Sequence, residues 1–228
     1  MKEKRHLEPI VDSILQGFEE KNEVRDAALR QSRTLIRHCS TAIRAVHRGD
    51  RDEAREHLEQ AGQLVKALRE SLEPFPDLYH AGYTQDGLKE YAEAHLVSAF
   101  IADEELPSPQ ELGVEDAAYL AGLGEAAGEL RRRVLDLIRQ DQYQEAERLL
   151  GRMDEIYGLL VTVDYPDAIT RGLRRITDMV RGGDGAHAGR SDYEPAAVRA
   201  QTCTIGPRRN RRLSRAGARS SWVARFSR

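Results

Sequence analysis

RDAALRQSRTLIRHCSTAIRAVHRGD, residues 25–50, decides the fold class. Its apolar residues Ala28, Leu35, Cys39, Ala42 and Val46 lie seven, four, three and four positions apart, which aligns them along one face of an α-helix. Gly49 and Asp50 punctuate the end of that run. The pattern continues in both directions. Residues 10–73 hold no proline and three glycines, and residues 110–165 hold no proline. The breaks sit at Pro74–Pro76, Pro107–Pro109 and Pro166, each ahead of a new helical pattern, because proline suits a first helical turn. A later run places Leu120, Leu123, Leu130, Val134, Leu137 and Ile138 at helical spacing. No stretch alternates with period two for long enough to make a strand. The expectation is an all-α protein of seven helices, over 4–21, 23–48, 51–72, 83–102, 115–141, 143–161 and 166–181, packed as an antiparallel bundle.

Composition agrees with that class and excludes others. The chain has 228 residues, 40% apolar, 32% charged and only 6% aromatic, which favours helices over sheets. No run of 18 apolar residues could cross a membrane. The first residues, MKEKRHLEPIVDSILQG, lack the apolar core of a secretory signal. Two cysteines, Cys39 and Cys203, exclude a disulfide framework and a cysteine-rich zinc site. A cytoplasmic protein is expected. The net charge of −3 hides an asymmetry: residues 183–228 carry ten arginines, no lysine and three acids, so the first 182 residues are strongly acidic. Two segments follow, a helical domain over 1–182 and a basic, disordered tail over 183–228. The clustered arginines of RRNRR (208–212) suit nucleic-acid phosphates, and a segment without function is the plainer alternative.

The strongest chemical feature is GLKEYAEA, residues 87–94. Glu90 and Glu93 stand three apart, so on a helix they share a face. Apolar neighbours Leu88, Ala92, Leu96 and Val97 keep that face near the core. Two carboxylates there repel each other and need a cation, a shared proton or a basic partner. Hard oxygen ligands suit Mg²⁺ or Mn²⁺. A solvated glutamate pair is the ordinary alternative. Glu129, among the small residues Ala126, Ala127 and Gly128, and Asp154, beside Met153 and Ile156, are the acids that could complete a metal site. Arg30, Arg33, Arg37, Arg44 and Arg48 fall within about 60° of one another at 100° per residue. That stripe suits phosphates, or pairing with acidic neighbours.

At these residues the chain resembles the translin superfamily, translin and its partner Trax. Residues 25–50 are similar to the family's first conserved helix, with Ser32-Arg33 and His47-Arg48 at the family's spacing. GLKEYAEA resembles the Trax segment GLQEYVEA. YLAGLGEAAGELRR (119–132) is similar to a later Trax stretch, and AITRGLRRITDMVRG (168–182) to the last conserved helix of translin. The resemblance covers roughly residues 5–182. It implies a seven-helix α/α fold and assembly into a closed, octamer-like shell, here a homo-oligomer. It implies binding of single-stranded RNA or DNA, and Mg²⁺-dependent endoribonuclease activity of the Trax type. Glu90 and Glu93 match the Trax acid pair. Asp154 matches the third catalytic acid, with Glu155 the adjacent alternative, and Glu129 a further metal ligand. Arg33, Arg37, Arg44 and Arg48 are then the expected nucleic-acid contacts. A second expectation concerns the tail, where the family continues with ERTRG. Back-translating Gly185–Gly189 in GC-rich codons and shifting one base yields that same Glu-Arg-Thr-Arg-Gly. The tail is therefore expected to be out-of-frame translation, and the nucleotide sequence of codons 178–192 tests it: an intact frame with no nearby ERTRG reading overturns it.

Overall fold

The computed structural model describes residues 7–184. Expectations for the tail lie outside the described residues, apart from Gly183 and Asp184, which end the last helix. The described residues are all-α, in nine helices: α1 (Leu7–Arg48), α2 (Arg51–Leu72), α3 (Pro76–Tyr79), α4 (Gly82–Ala102), α5 (Pro109–Leu112), α6 (Asp116–Arg139), α7 (Tyr143–Leu160), α8 (Asp167–Thr170) and α9 (Leu173–Asp184). No helix among them is long and apolar enough to cross a membrane.

Three differences from the seven expected helices have local causes. The first two are one helix of 42 residues. The expected break at Asn22, between 4–21 and 23–48, does not form: a lone Asn inside a helix costs only about 0.7 kcal/mol relative to Ala, too little to end one. One-turn helices occupy the proline breaks at α3 and α5, each with proline at its start. At α5, Ser108 and Glu111 form a reciprocal capping box. The last expected helix divides into α8 and α9, because Arg171 (φ 53°) and Gly172 (φ 83°) both turn left-handed between them.

The α1–α2 corner follows its sequence signal. Gly49 takes φ 80°, and the Asp50 carboxylate accepts a hydrogen bond from the Glu53 amide at 3.1 Å, capping α2. Helix α1 packs on α2 and α4, and α6 packs on α4, α7 and α9. The apolar stripe of residues 25–50 lies in the core: Leu35, Cys39 and Ala42 are fully buried, with Ala28 and Val46 nearly so. Leu88, Leu96, Leu130, Val134 and Leu137 from α4 and α6 complete its centre. The first turns of α1 behave differently. Leu7, Ile10, Val11, Ile14, Leu15 and Phe18 repeat at helical spacing, yet each is 46–77% exposed.

Candidate metal centre

The centre is built where α4 crosses α6. Residues 87–94 put Glu90 and Glu93 on the face of α4 that meets α6, as their spacing requires. On α6, Gly122 has no side chain to keep the helices apart. A Cβ there would stand 2.7 Å from the Lys89 carbonyl oxygen and 2.9 Å from the Glu93 amide nitrogen. This close approach brings Glu125, less than one turn further along α6, against the pair from α4. Ligand oxygens of Glu90, Glu93 and Glu125 all lie within 4.8 Å of one another.

Glu93 is the innermost of the three, 7% exposed, while Glu90 and Glu125 are half-buried. Burial, then the negative charges of Glu90, Glu125 and Glu129, push the Glu93 carboxyl up to about 8. One cation opposes this set. The Lys89 ammonium lies 2.7 Å from a Glu125 oxygen and 3.3 Å from a Glu90 oxygen. Burial works against that ammonium, but its bond to Glu125 and the charges of Glu125 and Glu90 outweigh burial and raise its pKa. One ammonium among three carboxylates leaves the centre short of positive charge. An all-oxygen, negatively charged donor set of this kind fits a hard divalent ion such as Mg²⁺ or Mn²⁺.

Glu129, one turn beyond Glu125 on α6, takes a different partner. Its carboxylate lies 2.6 Å from His47 Nε2 on α1, and 3.7 Å from Arg132. The His47 hydrogen bond, against the opposing effect of burial, holds the Glu129 carboxyl below the ordinary range, helped by the charges of His47 and Arg132. The His47 ring is 7% exposed, its Nδ1 has no hydrogen-bond partner among the described residues, and Arg133 donates to its backbone oxygen. Cys39 of α1 is fully buried. Burial first, then Glu90 and Glu93, raise its thiol far above the usual range, so it is no nucleophile.

The remaining expected residues are scattered. Asp154 is exposed on α7 and is not among the three carboxylates that meet; Glu155 beside it pairs with Arg152 at 2.9 Å. Arg33, Arg37, Arg44 and Arg48 are all exposed on α1. Arg48 pairs with Glu53 and Arg44 donates to Thr41, whereas Arg33 and Arg37 have no ion pair or side-chain hydrogen bond among the described residues. Sequence reasoning passed over Glu125, Lys89 and His47. Glu125 had a signal: it stands four residues before Glu129 in GLGEAAGEL, on the same face and with the same small neighbours.

No protein-family model matches the chain. An uncharacterised protein of Methanocaldococcus jannaschii is 34% identical over 164 residues, covering 71% of this chain and 72% of that one. Among solved structures, apo-NeC3PO superposes with a TM-score of 0.72 at 24% identity, covering 79% of this chain and 95% of that chain. AfC3PO, solved alone and in complex with duplex RNA, gives 0.71 at 28% identity, covering 78% and 93%. The translin- and Trax-like blocks at 25–50, 87–94, 119–132 and 168–182 thus lie on the fold shared by these C3PO proteins, and the chain has the translin-superfamily fold.

Proposed function

We propose that the protein is a divalent-metal-dependent endoribonuclease that works on single-stranded RNA within a homo-oligomeric shell. The observation that carries this reading is the meeting of Glu90, Glu93 and Glu125 around a buried, charge-deficient point. These three would hold Mg²⁺ or Mn²⁺. Glu129, kept ionised by His47, stands ready beside them, and Asp154 remains a candidate only if substrate or a neighbouring subunit draws it in. When bound, a divalent ion would polarise the scissile phosphate and lower the pKa of an attacking water. The chain's own residues do the rest. The carboxylates fix the site on two rigid helices, so little reorganisation accompanies reaction. Arg33 and Arg37 offer unpaired guanidinium groups to the RNA backbone. Phosphate contacts position without reading bases, so weak sequence preference follows.

Two further observations support the reading. The duplex-RNA complex of AfC3PO makes nucleic acid the natural ligand class. The exposed apolar stripe of Leu7, Ile10, Val11, Ile14, Leu15 and Phe18 suits burial against another subunit. One observation favours a second reading. Lys89 already neutralises part of the acid set, as a binding shell without nuclease activity would allow.

Cleavage of labelled single-stranded and duplex RNA in Mg²⁺, Mn²⁺ or EDTA separates the two. Metal-dependent cutting is expected, lost in Glu90→Ala/Glu93→Ala while RNA binding persists. Binding without cutting under every metal condition would replace the nuclease by the binding shell.

A further inference from the structure

Glu93 and Glu125 also border a cavity of about 300 Å³. Ala127 and Gly128 of α6, Met153 of α7, and Met179 and Val180 of α9 make its walls apolar. Arg131, one turn beyond Ala127 on α6, borders the same space. It is half-buried, and its guanidinium has no ion pair or hydrogen bond among the described residues. Arg132 beside it approaches Glu129, and Arg133 donates to the His47 backbone. Arg131 is thus the member of this arginine run that stays uncommitted.

Three chemistries meet in this space: carboxylates that want a cation, a cation that wants an anion, and an apolar slot between them. A nucleotide presents the same three in one molecule. Its phosphates suit the cation-bearing edges, and its base suits the slot. The volume is at the lower limit of small-molecule clefts, room for one base rather than a stack. Two methionines are apt walls, because their flexible, polarizable thioethers pack against flat π-systems of varied outline. A fatty or acidic ligand would meet Glu93 and Glu125, and the apolar walls between the charged edges offer no side-chain hydrogen bonds that would read a base edge.

We infer that this cavity is a nucleobase subsite, taking the base of a nucleotide whose phosphate lies at the Glu90, Glu93 and Glu125 centre, with Arg131 on an adjoining phosphate. This deepens the nuclease reading and rests on it for the position of the cut. It predicts tolerance among the bases and dependence on having one.

Gly128 supplies the test. Gly128 borders the cavity and a Cβ there meets nothing within 4 Å, so Gly128→Leu adds bulk at the wall with no clash at its first carbon. Met179→Ala, at a position 55% exposed, thins the wall instead. Fluorescence anisotropy in Ca²⁺, a hard divalent ion that oxygen ligands also hold, would compare a labelled single-stranded RNA with an abasic ribose–phosphate oligomer of equal length. Base stacking on a protein surface commonly changes affinity by about tenfold, and that preference for RNA is expected in the wild type. It should fall to within about twofold in Gly128→Leu and decline in Met179→Ala, while Arg131→Gln weakens both ligands alike. Equal wild-type affinities, a preference that survives Gly128→Leu, or no binding of either ligand would overturn the subsite. Because the assay needs no cutting, base-dependent binding that Gly128→Leu removes upholds the subsite even if RNA is never cleaved, and only the nuclease reading then fails.

Discussion

Glu93→Gln is expected to stabilise the metal-free protein at pH 8.5 by on the order of 5 kcal/mol, and to abolish stabilisation by Mg²⁺ or Mn²⁺. Burial and three neighbouring carboxylates raise the Glu93 carboxyl from 4.5 to about 8. Between those values the folded chain holds a proton that the unfolded chain has released. Stability from this group is therefore complete below pH 4.5 and is lost as pH rises through 8. At about 1.4 kcal/mol per unit, the penalty above pH 8 reaches the stated size. Glutamine keeps the shape and carries no charge, so the variant escapes the penalty. In urea melts with EDTA, wild type and variant should agree near pH 4.5 and diverge steadily up to pH 8.5. A divalent ion narrows that gap by roughly half. It repays the wild type by about 2.7 kcal/mol at a hundredfold excess over its dissociation constant, and gives the variant little. The same substitution should remove metal-dependent cutting, because the innermost ligand is gone. Parallel stability curves across the pH range would mean that Glu93 is not electrostatically burdened, and the argument for a cation there would fall.

The sequence made the fold legible wherever one residue type dominated a local choice. The stripe from Ala28 to Val46 fixed the buried face of α1, and Gly49-Asp50 fixed its end. Prolines announced α3 and α5 as breaks, though not as turns of helix. The Arg171-Gly172 kink escaped because an Arg in left-handed conformation has no signature of its own, and the glycine beside it sat inside a periodic run. For the site, spacing within one helix was readable and convergence between helices was not. Glu90 and Glu93 share a face by arithmetic. Whether Glu125 or Asp154 meets them depends on which helix approaches α4 most closely, and that is set by the absence of a side chain at Gly122. The spacing of Glu125 to Glu129 marks a shared face, but the close approach that brings this face to α4 is signalled by a glycine, and an acid in an apolar helix points as readily to Asp154, which is exposed. Lys89 was hidden for a related reason. A lysine beside two glutamates reads as surface charge until Glu125 arrives to hold it.

That dependence on one missing side chain makes Gly122→Ala the second large effect. Its methyl would meet the Lys89 carbonyl oxygen at 2.7 Å, the Glu93 nitrogen at 2.9 Å and the Ala92 Cβ at 3.0 Å. Two of these are backbone atoms of a helix, which cannot step aside as a side-chain tip would. The helices must part, and overpacking of this kind costs about 1–3 kcal/mol or more. Alanine's better helix propensity returns at most about 1 kcal/mol. Gly128→Ala, six residues along the same helix with nothing within 4 Å of its new methyl, keeps the propensity gain without the clash. Opposite signs are expected in thermal melts, Gly122→Ala lower and Gly128→Ala higher than wild type. Parting α4 from α6 also draws Glu125 away from Glu90 and Glu93, all three of whose ligand charges Gly122→Ala leaves in place. Isothermal titration with Mn²⁺ at a temperature where the variant is fully folded should therefore show weakened binding. If affinity is unchanged while stability falls, the close helix approach serves packing alone, and the three carboxylates do not act on an ion as one set.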